Sequence, residues 1–457
     1  MRQISTGARE GKRFIALALI TMVLALSSGD RATLSVAGPL MSKDLGITSV
    51  ELGWLFSSFA WSYALFQIPS GWLVDKFGAK RSMLFALLMW SLMTLLMGGV
   101  SLTSFAFLAL MVLRFFLGAM EAPVGPASAR IITAWFPSSE RGIAGAIFNS
   151  AQYISLVIFT PLMGWLAQRF GWEHVFVVMG STGIVFGLLW AKLYYAPLQH
   201  PRVSEEELAY LREGGALVDL GGQGDLKKSE GLKLSSVTRL FKSRMLVGIV
   251  IAQYCITSIT WFFVSWFPSY LVKGRGFSIL EAGFVAAIPA VCGCIGGVSS
   301  GFVSDWLLKK TGSLTMARKL PITVGLVLSA AMILCNYVDA SWMVVALMSA
   351  AFFGKGFGSL GWTVVADTAP KEVVGITGGL FGMVGNLGGI VTPVVIGYIL
   401  AGTGSFNGAL VFVGAHGVVA VLSYWLIVGR IERIDLAKLG GFSQASEVSP
   451  QTAPYKG

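Results

Sequence analysis

Gly71-Trp72-Leu73-Val74-Asp75-Lys76-Phe77-Gly78-Ala79-Lys80-Arg81 and its echo Gly301-Phe302-Val303-Ser304-Asp305 decide how this chain folds. The first stretch ends one long apolar segment and begins another. The second does the same, trailed by Lys309, Lys310, Gly312, Arg318 and Lys319. Their leading glycines are 230 residues apart. Thr160-Pro161-Leu162-Met163-Gly164 resembles Thr392-Pro393-Val394-Val395-Ile396-Gly397, with the prolines 232 apart and one extra residue before the second glycine. At 232, Glu140 also falls on Glu372. Three matches at nearly one offset mark an internal duplication, two copies of one helical unit.

Outward from the repeats, the composition is that of a membrane protein. Hydrophobic residues make up 55% of the 457 and charged residues 12%, where a soluble domain carries about 25% charged. Mean hydropathy is +0.73. Twelve apolar segments lie near 14–40, 52–73, 82–100, 105–129, 142–167, 174–191, 245–271, 282–304, 320–337, 342–366, 374–400 and 405–429. Most reach or exceed the roughly 20 residues that cross a bilayer as a helix. The expected fold is an all-α membrane protein with twelve transmembrane helices in two six-helix bundles. Residues 1–191 form the N-terminal bundle, 192–244 a central cytoplasmic loop, 245–429 the C-terminal bundle and 430–457 a cytoplasmic tail. The 56 glycines suit close packing of helices in lipid.

Topology follows from Lys and Arg. With the N-terminus in the cytoplasm, 27 of the 34 basic residues fall on the cytoplasmic side. Only Lys43, Arg169, Lys273 and Arg275 fall outside, and Arg31, Arg114 and Lys355 lie within spans. The formal charge of +11 is then a topology signal and a contact with anionic lipid, not a nucleic-acid footprint. Arg2, Arg9, Lys12 and Arg13 precede the first span as in a signal peptide. Its apolar stretch is too long for one and no small-residue cleavage pattern ends it, so a retained helix is expected. In the central loop, Ser204 is positioned to cap a short helix with Glu205, Glu206 and Glu207 in its first turn, a tether between the halves.

Four charges interrupt the apolar pattern: Asp30 and Arg31 in the first span, Arg114 and Glu121 in the fourth. Each costs about 2.5–3.5 kcal/mol at mid-membrane on insertion scales, so such groups face a polar cavity and mark ion or substrate pathways. Arg114 and Glu121, seven apart, share one helix face. Asp30 and Arg31 diverge by about 100°. The plain alternative is a salt-bridge network that only locks helices. A fifth charge, Lys355, sits in the Gly-rich stretch Phe352-Phe353-Gly354-Lys355-Gly356; its plain alternative is snorkelling to the cytoplasmic interface. Cys255, Cys292, Cys294 and Cys335 lie in apolar spans, and the pair at 292 and 294 diverges by about 200° on a helix, so packing rather than metal binding is expected. His174, His200 and His416 are expected at interfaces or in loops. No metal site, cofactor motif or nucleophile with a histidine partner stands out, and an enzyme is not expected.

The stretch Gly71–Arg81 resembles the major facilitator signature G-x-x-x-D-K/R-x-G-x-K/R-K/R at every defined position. In that superfamily Gly71 would permit close helix approach and Asp75 would accept hydrogen bonds from a neighbouring helix N-terminus. Lys76, Gly78, Lys80 and Arg81 would complete a conformational latch. Asp30-Arg31-Ala32-Thr33-Leu34-Ser35, Arg114 with Glu121-Ala122-Pro123, Ala134-Trp135-Phe136-Pro137 with Glu140-Arg141-Gly142, Asn149-Ser150-Ala151-Gln152-Tyr153 and Trp261-Phe262-Phe263 resemble the anion:cation symporter family. Trp172-Glu173-His174-Val175-Phe176, Lys319-Leu320-Pro321, Phe353–Gly358 and Asp367–Glu372 are similar to its bacterial glucarate/galactarate group.

The resemblance implies roles. Asp30 and Glu121 would be the two proton-titrating carboxylates, and Arg31 and Arg114 would engage the anionic substrate. Tyr63, Gln152, Ser359 and Trp362 would be pocket positions. Two positions depart from the family: Ser28 stands where Tyr is frequent and Gly382 where Asn is frequent, with Asn386 one turn on as a partial substitute. Lys355 would meet the second carboxylate of an aldarate. The function implied is a proton-coupled symporter importing a sugar-acid anion, glucarate or galactarate, with a monoacid importer (galactonate or a hexuronate) as the alternative. A membrane sugar-acid sensor is the remote one. The expected setting is a bacterial inner membrane, as a monomer, with both termini cytoplasmic, partnered by substrate, protons and lipids.

Overall fold

A computed structural model of the chain describes residues 11–221, 243–370 and 374–434. Lys371, Glu372 and the tail beyond Ile434 lie outside the described residues, as does the loop from 222 to 242. Twelve long helical spans are seen among the described residues. Spans 1–6 are Lys12–Asp44, Ser49–Phe77, Ala79–Met97, Ala106–Trp135, Arg141–Phe170 and Trp172–Leu193. Spans 7–12 are Arg244–Gly274, Ile279–Thr311, Leu314–Tyr337, Ser341–Thr368, Val374–Thr403 and Asn407–Val428. Eleven are long and apolar enough to cross a membrane. Span 2 is the more polar one: its 29 residues include Ser57, Ser58, Ser62, Gln67 and Ser70, four of them serines that turn their hydroxyls onto backbone carbonyls.

The duplication is visible in the capping chemistry. Span 2 starts with Thr48, whose side chain accepts from Glu51 N while the Glu51 carboxylate takes Thr48 N. Span 8 starts with Ser278 and Glu281 in the same reciprocal arrangement. Both residues of the second box lie 230 after those of the first. A capping box satisfies two orphan N–H groups at a helix start, so the repeat encodes how these helices enter the membrane as well as how they leave it.

The halves meet at the end where spans 2 and 8 begin. A Cβ on Gly53 (span 2) would lie 2.6 Å from the Pro393 carbonyl of span 11, and one on Gly397 2.6 Å from the Ser49 carbonyl. The pseudo-equivalent pair does the same: Gly283 (span 8) faces the Thr160 carbonyl of span 5 at 2.7 Å, and Gly164 faces the Ile279 carbonyl at 2.9 Å. No side chain fits at these distances. The Thr-Pro-(x)n-Gly repeats thus form two symmetric seals between the halves. Thr160 Oγ1 donates to Gly283 O at 3.0 Å and Ser57 Oγ to Ile390 O at 2.8 Å across them. At the other, basic end, a Cβ on Gly71, Gly142, Gly145, Gly301, Gly378 or Gly379 would meet nothing within 4 Å. The molecule is closed at one end and parted at the basic end.

Spans 4 and 10, equivalent in the repeat, are both broken near their middles. In each the first helical piece has 16 residues, Ala106–Glu121 and Ser341–Gly356. In span 4, Pro123 interrupts the ladder because it has no N–H to donate; helix resumes over Val124–Trp135. Span 10 passes through a tight turn of 3-10 helix, Phe357–Ser359, before Leu360–Thr368. Span 7 carries wide π turns, Phe262–Trp266 and Tyr270–Gly274, around Pro268. Such irregular turns cluster at functional sites in membrane helices.

The loop after span 6 carries the expected helix, Glu205–Glu213, with Ser204 Oγ accepting from Glu207 N at 3.2 Å. It is not a loose tether. Leu211 is fully buried, Tyr210 donates to Glu140 Oε1 at 2.5 Å, and Arg13 Nε lies 3.2 Å from Glu140 Oε2. Leu217 N donates to Thr133 O near the end of span 4, and Arg141 Nη2 at the start of span 5 donates to Gly215 O, so both tie down the following turn. One histidine expectation needs correcting: His416 sits inside span 12, buried between Tyr254 and Phe412.

Candidate functional site

The charges of spans 1 and 4 come together midway along the N-terminal half, Asp30, Arg114 and Glu121 buried and Arg31 half-buried, with different partners. Glu121 ends the first piece of span 4 and is fully buried. Its Oε1 accepts from Arg31 Nε at 2.7 Å, from Arg31 Nη2, and from Ser27 Oγ at 2.7 Å. Its Oε2 is buried without a partner among the described residues. The Arg31 guanidinium lies 5.0 Å from the Tyr63 ring centroid and 5.2 Å from that of Phe59, positions at which an aromatic face attracts a cation.

Arg114 is 1% exposed, yet only its Nη2 is engaged, donating to the Arg31 carbonyl at 3.3 Å. Its Nε and Nη1 are buried without partners among the described residues, and its guanidinium is 5.4 Å from the Phe59 ring centroid. Asp30 is 3% exposed; its Oδ2 accepts from Thr94 Oγ1 of span 3 at 2.9 Å, and its Oδ1 has no partner among the described residues. The four charges are therefore one paired unit, Arg31–Glu121, beside a cation and a carboxylate with spare hydrogen-bonding capacity. The expectation from spacing put Arg114 and Glu121 on one face; the ion pair instead joins Glu121 to the adjacent helix.

Across the midline, Lys355 occupies the last turn of the first piece of span 10, where the helix C-terminus favours a cation. Its ammonium lies 5.2 Å from the Phe352 ring centroid and 5.8 Å from that of Tyr153 of span 5. The residue is 13 positions before the end of its span, about 20 Å along the helix at 1.5 Å per residue. Ser359 Oγ pairs with Ser300 Oγ of span 8 at 3.2 Å. Trp362 is half exposed and packs edge-on against Phe381 at 4.8 Å. A Cβ at Gly382 would stand 3.6 Å from Trp362, so the indole borders the space left by that glycine. Gln152 is exposed and Asn386 half-buried, with Gln152 on the parted side of span 5.

Three contributors escaped sequence reading. Ser27 and Thr94 hold the two carboxylates, and Phe59, fully buried, carries both guanidinium groups while touching Trp261 of the other half at 6.2 Å. A serine, a threonine and a phenylalanine in apolar helices carry no signal of their own. Only the capacity of Asp30 for a donor hinted that one would be found nearby.

The loop of the signature stretch is built differently from expectation. Asp75 accepts from Arg130 Nη1 of span 4 at 2.8 Å, a side chain and not a helix N-terminus. Gly71 has open space around it, so the close approach expected there is not made in this conformation. Gly78 has φ +79°, a backbone shape that disfavours any side chain. Lys76 lies over Trp72 at 4.7 Å and Lys80 over Tyr195 at 4.0 Å; Lys80 and Arg81 line a cleft of about 310 Å³ at the basic end.

Two pseudo-symmetric six-helix bundles, sealed at one end and holding buried charges near mid-membrane, define a multi-pass secondary transporter. The sequence model of the Major Facilitator Superfamily matches residues 20–317, and the chain belongs to that family. It is 52% identical over 440 residues to the "Probable galactarate/D-glucarate transporter GudP" of Escherichia coli (strain K12), covering 96% of this chain and 98% of the relative. It is 39% identical to the "D-galactonate transporter" of Escherichia coli O6:H1 (strain CFT073), covering 93% and 97%. In fold it matches a solved bacterial homolog of the human lysosomal transporter Spinster, in an inward-facing and occupied conformation, with TM-score 0.67 and 18% identity over 92% of this chain and 97% of that one.

Proposed function

We propose that this protein is a proton-coupled symporter that imports a six-carbon sugar dicarboxylate, glucarate or galactarate. The observation that carries the reading is Arg114: a buried guanidinium with two unpartnered nitrogens beside two buried carboxylates. A free buried cation of this kind is costly unless an anion visits it. One substrate carboxylate engages Arg114 and competes with Glu121 for Arg31. Glu121, losing its cation in a dry site, takes a proton, and the neutralised, loaded site crosses to the other state at lower electrostatic cost. Lys355 takes the second carboxylate, with Tyr153, Gln152 and Ser359 along the path between and Trp362 and Asn386 at its margin. The names of the relatives agree with this substrate class.

A monoacid importer is the second reading, favoured by the 39% identity to a protein named for D-galactonate. In that case Lys355 would have no carboxylate to meet. The basic end is assigned to the cytoplasm of a bacterial inner membrane by its Lys and Arg, with both termini there, so the conformation described is inward-facing. The protein is proposed to act as a monomer.

Purified protein in proteoliposomes tests the reading. Labelled glucarate should accumulate only with an inwardly directed proton gradient, and Glu121→Gln should retain counterflow while losing gradient-driven accumulation. A Glu121→Gln protein that still concentrates glucarate would remove Glu121 from coupling. Competition by galactonate stronger than by glucarate would favour the second reading.

A further inference from the structure

We propose that Thr94 is a positioning residue for proton coupling, a hydroxyl that serves Asp30 in both of its protonation states without moving it. The inference rests on the proposed symport, with Asp30 as one of its two proton-titrating carboxylates. Thr94 Oγ1 lies 2.9 Å from Asp30 Oδ2 and 3.2 Å from the Trp90 carbonyl one turn back on its own helix. A hydroxyl has one hydrogen and spare acceptor capacity, so it donates to one of these oxygens at a time. With Asp30 ionised, the hydrogen points to the carboxylate. With Asp30 protonated, the carboxylic O–H donates to Thr94 Oγ1 and the Thr94 hydrogen turns to the Trp90 carbonyl. Both arrangements leave every heavy atom in place and no donor unsatisfied. Thr94 is fully buried and Asp30 nearly so, which makes an unsatisfied state expensive at this position.

Among the described residues, Thr94 is the one hydrogen-bond donor to Asp30. The charged groups acting on Asp30 are Glu121 and Arg114 of span 4, with Arg31 beside it on span 1. Spans 3, 5 and 6 carry no Asp, Glu, His, Lys or Arg over residues 82–97, 142–168 and 175–191, and neither does span 2 over 52–74 nor span 7 over 245–272. Tyr63 of span 2 stands against Arg31. Arg31 is spent on Glu121, and the guanidinium of Arg114 donates to the Arg31 carbonyl. The proton cycle of Asp30 therefore runs against a fixed hydroxyl.

Thr94→Val removes the hydroxyl at constant shape, and Thr94→Ser keeps it. In proteoliposomes, the pH midpoint of glucarate counterflow should move by about half to one unit in Thr94→Val, because the charge-assisted bond to the ionised carboxylate is worth more than the neutral bond to the acid. It should return to the wild-type value in Thr94→Ser. Gradient-driven accumulation should fall about tenfold in Thr94→Val. In an Asp30→Asn background, Thr94→Val should change the pH profile no further. If Thr94→Val does not fold, Thr94→Ala with glucarate binding followed by tryptophan fluorescence against pH replaces it. An unmoved midpoint in a coupled wild type, or the same shift in Thr94→Ser, overturns the proposal. Absence of proton-driven uptake in the wild type itself overturns the symport reading instead, so the two failures are told apart.

Discussion

Arg31 and Arg114 bear the same group on adjacent helices and share the Phe59 ring, yet only one is committed. Arg31 gives two donors to Glu121 and is 20% exposed at its side chain, while Arg114 keeps two nitrogens free in a fully buried setting. Replacing Arg114 should therefore harm substrate binding more than it harms the fold. Arg114→Gln is expected to weaken glucarate binding about 10- to 100-fold, the worth of hydrogen bonds to a charged group, by calorimetry on purified protein. Arg114→Lys should not restore it, because a lysine cannot present the planar fork. At the opposite end of the substrate, Lys355→Gln should reduce glucarate uptake at least tenfold more than galactonate uptake. Equal losses would show that Lys355 meets no second carboxylate.

At the scale of helices, the two broken spans explain where the charges stand. Glu121 and Lys355 both fall at the end of a 16-residue first piece, so the same interruption, inherited through the duplication, sets an acid in one half and a cation in the other. Apolar periodicity made spans 4 and 10 legible as helices. Their interruptions were less so: Pro123 is a visible breaker, whereas the tight turn at Phe357–Ser359 has only flanking glycines to announce it. The glycine seals are a second property of elements. Gly397→Val would drive a side chain into the Ser49 carbonyl 2.6 Å from its Cβ. The variant should part the closed end and bias the protein outward-open. A cysteine placed near Gly53 should then react with a membrane-impermeant thiol reagent applied from outside several-fold faster than in an otherwise identical Gly397 protein. Gly164→Val, its counterpart at the Ile279 carbonyl 2.9 Å away, should behave alike; unchanged labelling in both would mean that the seals do not hold this state.

For the whole molecule, the two halves differ in the groups they carry. The N-terminal half holds the four charges and the docked loop helix; the C-terminal half presents Lys355, Ser359 and Trp362. Glu140 bridges Arg13 and Tyr210, which fastens the loop helix to the N-terminal half. Glu140→Gln should free that helix, at a cost of about 1–3 kcal/mol for charge-assisted hydrogen bonds. Protease cleavage within residues 204–221 should accelerate correspondingly while glucarate binding is kept.

The sequence alone determined the membrane class, the number of spans and the duplication, because hydropathy, charge asymmetry and repeat spacing are one-dimensional properties written along the chain. It also singled out Asp30, Arg31, Arg114, Glu121 and Lys355, because a charge in an apolar helix is conspicuous wherever it points. Partnership was decided only by tertiary structure. Spacing puts Arg114 and Glu121 on one face of a helix, but the packing of span 1 on span 4 hands Glu121 to Arg31, leaves Arg114 open and brings Thr94 to Asp30. Which end is closed was likewise invisible in the chain, since the same glycine repeats serve whichever conformation the two halves adopt, and only their meeting at Gly53, Gly164, Gly283 and Gly397 makes them a seal.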